Sequence, residues 1–417
     1  MGIDAHARSA VGPKKLFGRA KGKDALRKVL KSAMAWAEAN DLAPFFRSQM
    51  EGEGALWVSI LPTAGRISFN FFEDGLSIDF RSSNCGPGYH SSVLDLLDYL
   101  EQDLDLSWDW GKNPDDSGDE TEFAFARDFD DLQNRMARFL KLLSGSAVAN
   151  QMETGALCVP MGLGQREGKI ACPLGFRDFA YLSRIAELEG EELKTAAASW
   201  FVWWSKEKSA EFWEHLLRAF LWQDVNWRQP SDSAEAGAMI QIDAIVQRLQ
   251  SAGGVMPSDL SHAVEEYRLI CDEGGFPAPD GIGYRRGFVR QSFFPGWSVA
   301  MPGYYRQTTD EDGSTVVFSF ADNSARFSSV SADVSPGWEY DWPASFADAP
   351  LSHGNGFEWK RSSVDIYDDG MASQTTVLVA TPDRELQMLL ITLTAAEKHL
   401  DLVDDWVDQI TFNPAGL

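Results

Sequence analysis

Strand-like alternation at both ends of the chain, helical spacing through its middle and turn residues between the runs predict an α+β protein. The predicted order is an N-terminal antiparallel sheet with helices, a helical middle, and a C-terminal antiparallel sheet with a closing helix. Apolar residues are 44% and aromatic residues 12% of the 417, enough to fill real cores and to exclude global disorder. A length of this order allows about two to four domains. The segments read as a basic arm over 1–23, an α+β domain over 24–147, a hairpin linker over 148–173, a helical domain over 174–283 and a second α+β domain over 284–417.

The first domain opens on a helix over 24–40, with Leu26, Val29, Leu30, Ala33 and Ala37 on one face. Three strands follow over 55–61, 66–72 and 75–81. Thr63-Ala64-Gly65 makes the first turn and Asp74-Gly75 the second, because glycine accepts positive φ. A helix carrying Val93, Leu96, Leu97, Leu100 and Leu104 comes next, and Ser92-x-x-Asp95 reads as its capping box. "TEFAFA" (121–126) alternates like a strand, and Leu132, Met136, Leu140 and Leu143 mark another helix. "ALCVPM" and "KIACPL" around "GLGQREG" read as a hairpin.

The middle is helical. Phe179, Leu182, Ile185 and Leu188 form one run that Gly190 ends, and "EELKTAAASWFVWW" and "KEKSAEFWEHLLRAFLW" form two more. A longer helix is opened by Asp232-x-x-Glu235 and closed by Gly253-Gly254, and "LSHAVEEYRLICDEGG" is the last. The third region is strand-rich: "GWSVAM", "STVVFSF", "ARFSSVSA", "FEWKR", "SQTTVLVA" and "LQMLLITL". Asp312-Gly313 and Asp369-Gly370 supply turns, and Thr394-x-x-Glu397 opens the closing helix.

Charge narrows the partners. Lys and Arg number 37 against 62 Asp and Glu, a net charge of −25. Such a body repels phosphate backbones, so no nucleic acid is expected and a basic protein partner is. The start is the exception, with nine Lys and Arg in residues 1–31 against Asp4 and Asp24. That arm reads first as a solvated tail, with folding back onto the body or contact with an anionic partner as the alternatives. The longest apolar runs, such as "WFVWW" (200–204), fall far short of the ~20 residues that span a bilayer, so no membrane association is expected. No secretory signal is read, and Met1-Gly2 lacks the Ser or Thr at position 6 that myristoylation wants. A cytoplasmic location is the expectation.

Candidate chemistry is sparse. Cys85, Cys158, Cys172 and Cys271 include no CxxC and read as reduced thiols, with Cys158 and Cys172 brought near each other by the hairpin. "NCGPGYH" (84–90) places Cys85 and His90 either side of a Gly-Pro-Gly turn. The readings are a strand-to-helix bend, a reactive thiol, or a binding surface of Tyr89 and His90; an acidic cap at the helix start would disfavour a thiolate. "GLGQREGK" (162–169) fits neither the P-loop nor the dinucleotide pattern. Asp115, Ser117 and Asp119 lack the spacing of a calcium loop, no His/Cys set has zinc spacing, and no metal or cofactor is expected.

Aromatic residues are the remaining candidates for contact. Six tryptophans fall in residues 200–227. Helical spacing assigns most of them to a core, whereas Trp222 and Trp227 read as exposed and partner-binding. Residues 333–356 are long for a connection, and Trp338, Tyr340 and Trp342 alternate there with acids. They suit a basic, partly apolar partner or lie back over the sheet as a lid.

Residues 296–302, "GWSVAMP", and 400–412, "LDLVDDWVDQITF", resemble the opening strand and the last helix with terminal strand of PsbP-like domains, including the DcrB-type bacterial group. The resemblance covers under a third of the chain. It implies a twisted antiparallel sheet flanked by helices. It further implies a family that mostly binds proteins and lacks catalysis, with accessory and immunity-type proteins of bacterial toxin systems among its members. The expected function is therefore non-enzymatic binding of a basic protein, as in bacterial defence. The alternatives are a scaffold subunit docking through the helical middle, and a hydrolase or transferase using Cys85 and His90.

Overall fold

The computed structural model describes residues 3–9, 22–72, 75–111, 118–159, 165–311, 313–320, 323–333, 342, 344–354, 357–367, 370–380, 385–396 and 409–413. The chain divides into two compact units, Met1–Tyr284 and Arg285–Leu417. The segments that the sequence separates at 147 and 173 lie within the first unit. Helices together with antiparallel sheets at both ends make the fold α+β.

The first unit holds a six-stranded sheet built from β1 (Asp4–Ser9), β2 (Arg47–Glu51), β3 (Ala55–Ser59), β4 (Ile67–Phe72), β5 (Gly75–Arg81) and β6 (Trp108–Asp109). The order is β2-β3-β4-β5-β1-β6, antiparallel throughout. β1 corrects the tail reading for residues 4–9. Ala5, Ala7 and Ser9 are buried while His6 and Arg8 are exposed, so this piece of the arm is an alternating strand that fills the slot between β5 and β6. Residues 10–21 lie outside the described residues.

One face of this sheet is apolar: Leu56, Val58, Ile67, Phe69, Ile78 and Phe80 are buried. α1 (Gly22–Ala39) lies against β3, β4 and α2 (Pro87–Leu104). Its inward side carries Leu26, Val29, Ala33 and Trp36. α2 starts earlier than its supposed capping box. Gly86, at φ 106°, precedes Pro87 at the first helical position, which proline favours because it has no N–H to satisfy. Ser92 and Asp95 are thus mid-helix.

"TEFAFA" is not a strand. It makes a turn and α3 (Phe123–Ala126), because the Asp119 carboxylate takes the Thr121 and Ala124 amides and winds the backbone. α4 (Phe129–Ala149) follows, capped by Asp128, which accepts from the Asp130 and Asp131 amides. The linker forms β7 (Gly155–Ala156), β8 (Ile170–Cys172) and β9 (Gly175–Arg177). β7 and β8 run parallel, so the expected hairpin is wrong there; β8 and β9 make the antiparallel pair. The chain between β7 and β8 is long enough to return in the same direction.

Further helices among the described residues of this unit are α5 (Phe179–Glu187), α6 (Gly190–Ala198), α7 (Ala210–Gln223), α8 (Ser233–Ser251) and α9 (Ser258–Glu273). Gly190 starts α6, at φ 54°, and does not end α5. Asp232 caps α8 through the Ala234 and Glu235 amides. Between α6 and α7 the chain is irregular, yet Trp200, Phe201, Val202 and Trp203 are fully buried there.

The described residues of the second unit form two sheets. β10 (Phe288–Phe294), β11 (Trp297–Pro302) and β20 (Ile410–Phe412) form one, with Trp297 opposite Phe412 and Val299 opposite Ile410. The other contains β12 (Arg306–Thr309), β13 (Thr315–Phe320), β14 (Asn323–Asp333), β15 (Ser352–Gly354), β16 (Phe357–Arg361), β17 (Asp365–Ile366), β18 (Met371–Ala380) and β19 (Glu385–Ala396). Its order is β12-β13-β14-β19-β18-β16-β15, with β17 on β18. Trp297, Met301, Phe318, Phe327, Leu378 and Ile391 share one core. Thr394 belongs to β19, opposite Ser324 and Ser373, so it does not cap a helix. Residues 397–408, where the closing helix is expected, lie outside the described residues.

Candidate functional site

"NCGPGYH" is a junction. Cys85 accepts the Trp203 amide at 2.8 Å through its carbonyl, and Gly88 donates its own amide to Trp203 O at 3.0 Å. The two glycines are required by contact. A Cβ on Gly86 would lie 2.7 Å from Phe201 Cβ, and one on Gly88 2.2 Å from Trp203 Cδ1. The side chains of the same motif reach the other way. Asn84 Nδ2 donates to Thr63 O at 2.9 Å and Tyr89 Oη to Gly65 O at 3.2 Å, so the motif supports the loop between β3 and β4 from beneath.

This geometry corrects two assignments. Tyr89 and His90 are both fully buried, so neither can meet a partner. Cys85 is buried too, and burial drives its thiol far above the ordinary range. A thiolate nucleophile would need the opposite.

His90 sits in a sealed polar network. Its Nδ1 is 3.0 Å from Ser82 Oγ, and its Nε2 is 3.2 Å from Thr121 Oγ1 and 3.4 Å from Asp119 Oδ1. The Thr121 hydroxyl donates to Asp119 Oδ1 at 2.7 Å. His90 Nε2–H therefore faces Thr121 and Asp119, and Ser82 partners Nδ1, so both ring nitrogens have a partner. Serine, histidine and aspartate stand in the order of a hydrolytic relay. However, Ser82, His90 and Asp119 are each 0% exposed, and the Phe80 and Phe123 rings flank the imidazole at 5.3 and 6.0 Å. No substrate carbonyl can reach Ser82. The network ties α2 to β5 and to the segment before α3.

Burial by itself would raise the Asp119 carboxyl, but His90, Thr121 and the Ala124 amide outweigh it and hold it at about 2. Asp115 and Ser117 lie outside the described residues. Among the described residues no group of three or more His, Cys, Asp or Glu is placed to hold a metal ion.

The expected aromatic contacts are also redistributed. Trp222 is buried, donating Nε1–H to Cys172 O at 2.9 Å, and Trp227 is buried, donating to Leu221 O at 3.1 Å. Each indole closes the helical core, so these two cannot dock a partner. Trp342 is half-buried against the cluster of Phe346, Val377 and Val379, with the Lys360 ammonium 5.5 Å from its ring centre. It lies back on the sheet. Trp338 and Tyr340 fall outside the described residues.

The second face of the six-stranded sheet is open to solvent among the described residues. Cross-strand register lines up Gln49, Trp57, Ser68, Asp79 and His6 in one row across five strands. These side chains are half-buried or exposed. His6 Nδ1 meets Asp79 Oδ1 at 2.6 Å and Arg81 Nε meets Asp4 Oδ1 at 2.6 Å, lining a depression of about 580 Å³.

At the β2–β3 end the face runs into a groove of about 430 Å³, and Arg66 lines both. The sheet side supplies Arg47, Trp57, Ser59 and Thr63; the helical side supplies Phe220, Asp224, Glu235 and Gln241. Arg66 lies over the Trp57 indole, 4.4 Å from its centre. Thr63 has φ 63°, a left-handed conformation that a β-branched residue rarely adopts. Thr63 Oγ1 and Trp57 Nε1 are shielded from water and have no hydrogen-bond partner. Sequence reasoning placed a turn at Thr63 but missed this groove. Its two walls are about 160 residues apart in the chain and meet only in the fold.

No family model matches the chain, and no curated protein matches it. Among solved structures, one from Bacteroides thetaiotaomicron VPI-5482 is similar at 10% identity and a TM-score of 0.22, over 30% of this chain and 49% of that one. The chain thus spans about half the length of that protein. LpqN, involved in cell envelope biogenesis of Mycobacterium tuberculosis, is similar at 12% identity and a TM-score of 0.21, over 29% of this chain and 87% of its own. At these TM-scores neither likeness bears on function.

Proposed function

We propose that this chain is a non-enzymatic protein-binding protein that engages a basic partner through the open face of its N-terminal sheet. The observation that carries this reading is the solvent-facing row Gln49–Trp57–Ser68–Asp79–His6, a polar surface with one large aromatic ring. The net charge of −25 supports a basic partner, drawn in by the long-range field and then fitted to the face. An immunity or accessory role belongs to the same proposal, on the PsbP-like resemblance of the third region. So does a cytoplasmic location, which is supported by four free cysteines. Among the described residues no helix is long and apolar enough to cross a membrane. Burial of Trp222 and Trp227 counts against a scaffold docking through the helical middle.

The test is capture from extracts of the source cells at low and high salt, comparing the wild type with Ser68→Arg and with Asn70→Arg, which lies two residues further along β4 on the same face. A basic protein should be retained by the wild type, released as salt rises, and lost from both variants. Equal retention by the variants, or binding indifferent to salt, would overturn the proposal.

A further inference from the structure

The groove at Thr63 is built in a way that sheet-face docking does not require. Two hydrogen-bonding groups, Thr63 Oγ1 and Trp57 Nε1, are held without partners on its sheet side, although buried polar groups are nearly always paired. Thr63 is 8% exposed and is kept in its left-handed conformation by Asn84, which bonds its carbonyl, while Tyr89 bonds that of Gly65 two residues on. Backbone held against its preference in this way is characteristic of binding sites. The same wall carries two guanidinium groups. Arg66 stacks on Trp57 and is 3.8 Å from Glu51 on the exposed surface; Arg47 donates to the Pro44 and Phe46 carbonyls and makes no ion pair among the described residues.

The chemistry of the lining defines the ligand. Two cations, an indole N–H and a hydroxyl belong to the residues of one wall, a set that suits a planar anion. Phe45, Leu61, Pro62, Phe220 and Ala238 supply apolar surface beside them. Across the groove stand the carboxylates of Asp224 and of Glu235, the latter paired with Arg228, and the negative charge on this wall repels a phosphate dianion more than a single carboxylate. A volume of about 430 Å³ is at the small end for ligand sites.

We propose that this groove binds a carboxylate attached to a compact apolar group, with Thr63, Trp57 and Arg66 as its recognition residues. The same chemistry is offered by a small free acid and by the last residue of a partner chain. The site shares Trp57 with the open sheet face, but small acids and peptides probe it with no partner protein present, so the two proposals fail independently.

The probes are N-acetylphenylalanine and its amide, and the peptide Ala-Ala-Ala-Phe with a free or an amidated C-terminus. Binding is read from the indole N–H resonance of Trp57 and from tryptophan fluorescence of the full chain. The acids should bind saturably and move the Trp57 resonance, and the amides should not. Preference for the free acid points to a metabolite, and preference for the peptide acid points to a chain terminus; both support the proposal. Thr63→Val and Trp57→Phe each remove one donor and should weaken binding about tenfold, with Arg66→Gln doing at least as much. Thr63→Ser should retain binding, which keeps the test informative if one variant folds poorly. Absence of saturable binding by every acid up to ~10 mM, or amides that bind as well as acids, would overturn it.

Discussion

Gly88 and Trp203 touch so closely that glycine is the only residue the position admits. The Gly88 amide donates to Trp203 O at 3.0 Å, and a Cβ would stand 2.2 Å from Trp203 Cδ1 and 2.3 Å from Ser205 O. Nothing flexible lies there to give way, since Trp203 is fully buried. Gly88→Ala should therefore destabilise the first unit by about 2–3 kcal/mol through overpacking. At Gly145, inside α4, a Cβ would have nothing within 4 Å. There the same substitution should stabilise by about 0.5–1 kcal/mol, because alanine is the better helix former. Urea unfolding of the two variants tests this opposition of sign.

Asp119 makes stability depend on acid pH. Its carboxyl is held at about 2 in the folded chain, against an ordinary 3.8. A depressed value means the stabilisation is complete above the unfolded pKa and is lost as pH falls through the folded one. The contribution is about 2 kcal/mol near neutral pH and fades between about pH 4 and pH 2. Asp119→Asn should be less stable by at least that amount at pH 7, with the gap to wild type closing towards pH 2. A gap constant with pH would show that the amide bonds alone matter.

Thiol reactivity should follow burial. Burial raises all four thiols, Cys158 to about 12, and Cys271 keeps the largest exposure of the four to solvent. A maleimide added to the native protein at pH 7 should label Cys271 first. Cys85 and Cys172 should react only after unfolding. Prior labelling of Cys85 would revive a nucleophilic role for the motif at 84–90.

Thr63→Gly separates stability from binding. Glycine reaches φ 63° without steric cost, which relieves ~1–3 kcal/mol of strain and gives back ~0.5–1 kcal/mol in chain entropy. A net gain of about 1 kcal/mol in unfolding free energy is expected, together with weaker acid binding in the groove. A loss of stability would mean that the packing of the threonine methyl outweighs its backbone strain.

Local signals located most of the elements. Asp232 sits where a cap is needed and the helix it predicts forms, and the apolar spacing of Leu132, Met136, Leu140 and Leu143 marks the helix that Asp128 caps. β3, β4 and β5 alternate, for most of their length, between buried apolar side chains and half-buried or exposed ones. β1 escaped because its inward residues are two alanines and a serine, which carry little hydrophobic signal, and because its partners lie about 70 and 100 residues away. "TEFAFA" misled in the other direction: its alternation is genuine, but the Asp119 carboxylate overrides it by capturing two amides. The start of α2 was legible in Gly86-Pro87, a glycine turn followed by a residue suited to the first helical position, and the Ser92-x-x-Asp95 pattern obscured it.

The aromatic residues show where such signals stop. Composition and spacing establish that the rings exist and that many share a helical stripe, because side-chain periodicity is a property of the local backbone. Whether Trp222 and Trp227 face water or a core depends on what packs against their helix ends, and Cys172 and Leu221 supply those contacts. Fold class, charge and most helices and strands are thus encoded in short stretches of chain. The open sheet face, the sealed network at His90 and the groove at Thr63 exist only once distant segments are brought together, since each is made of groups that have no relation along the backbone.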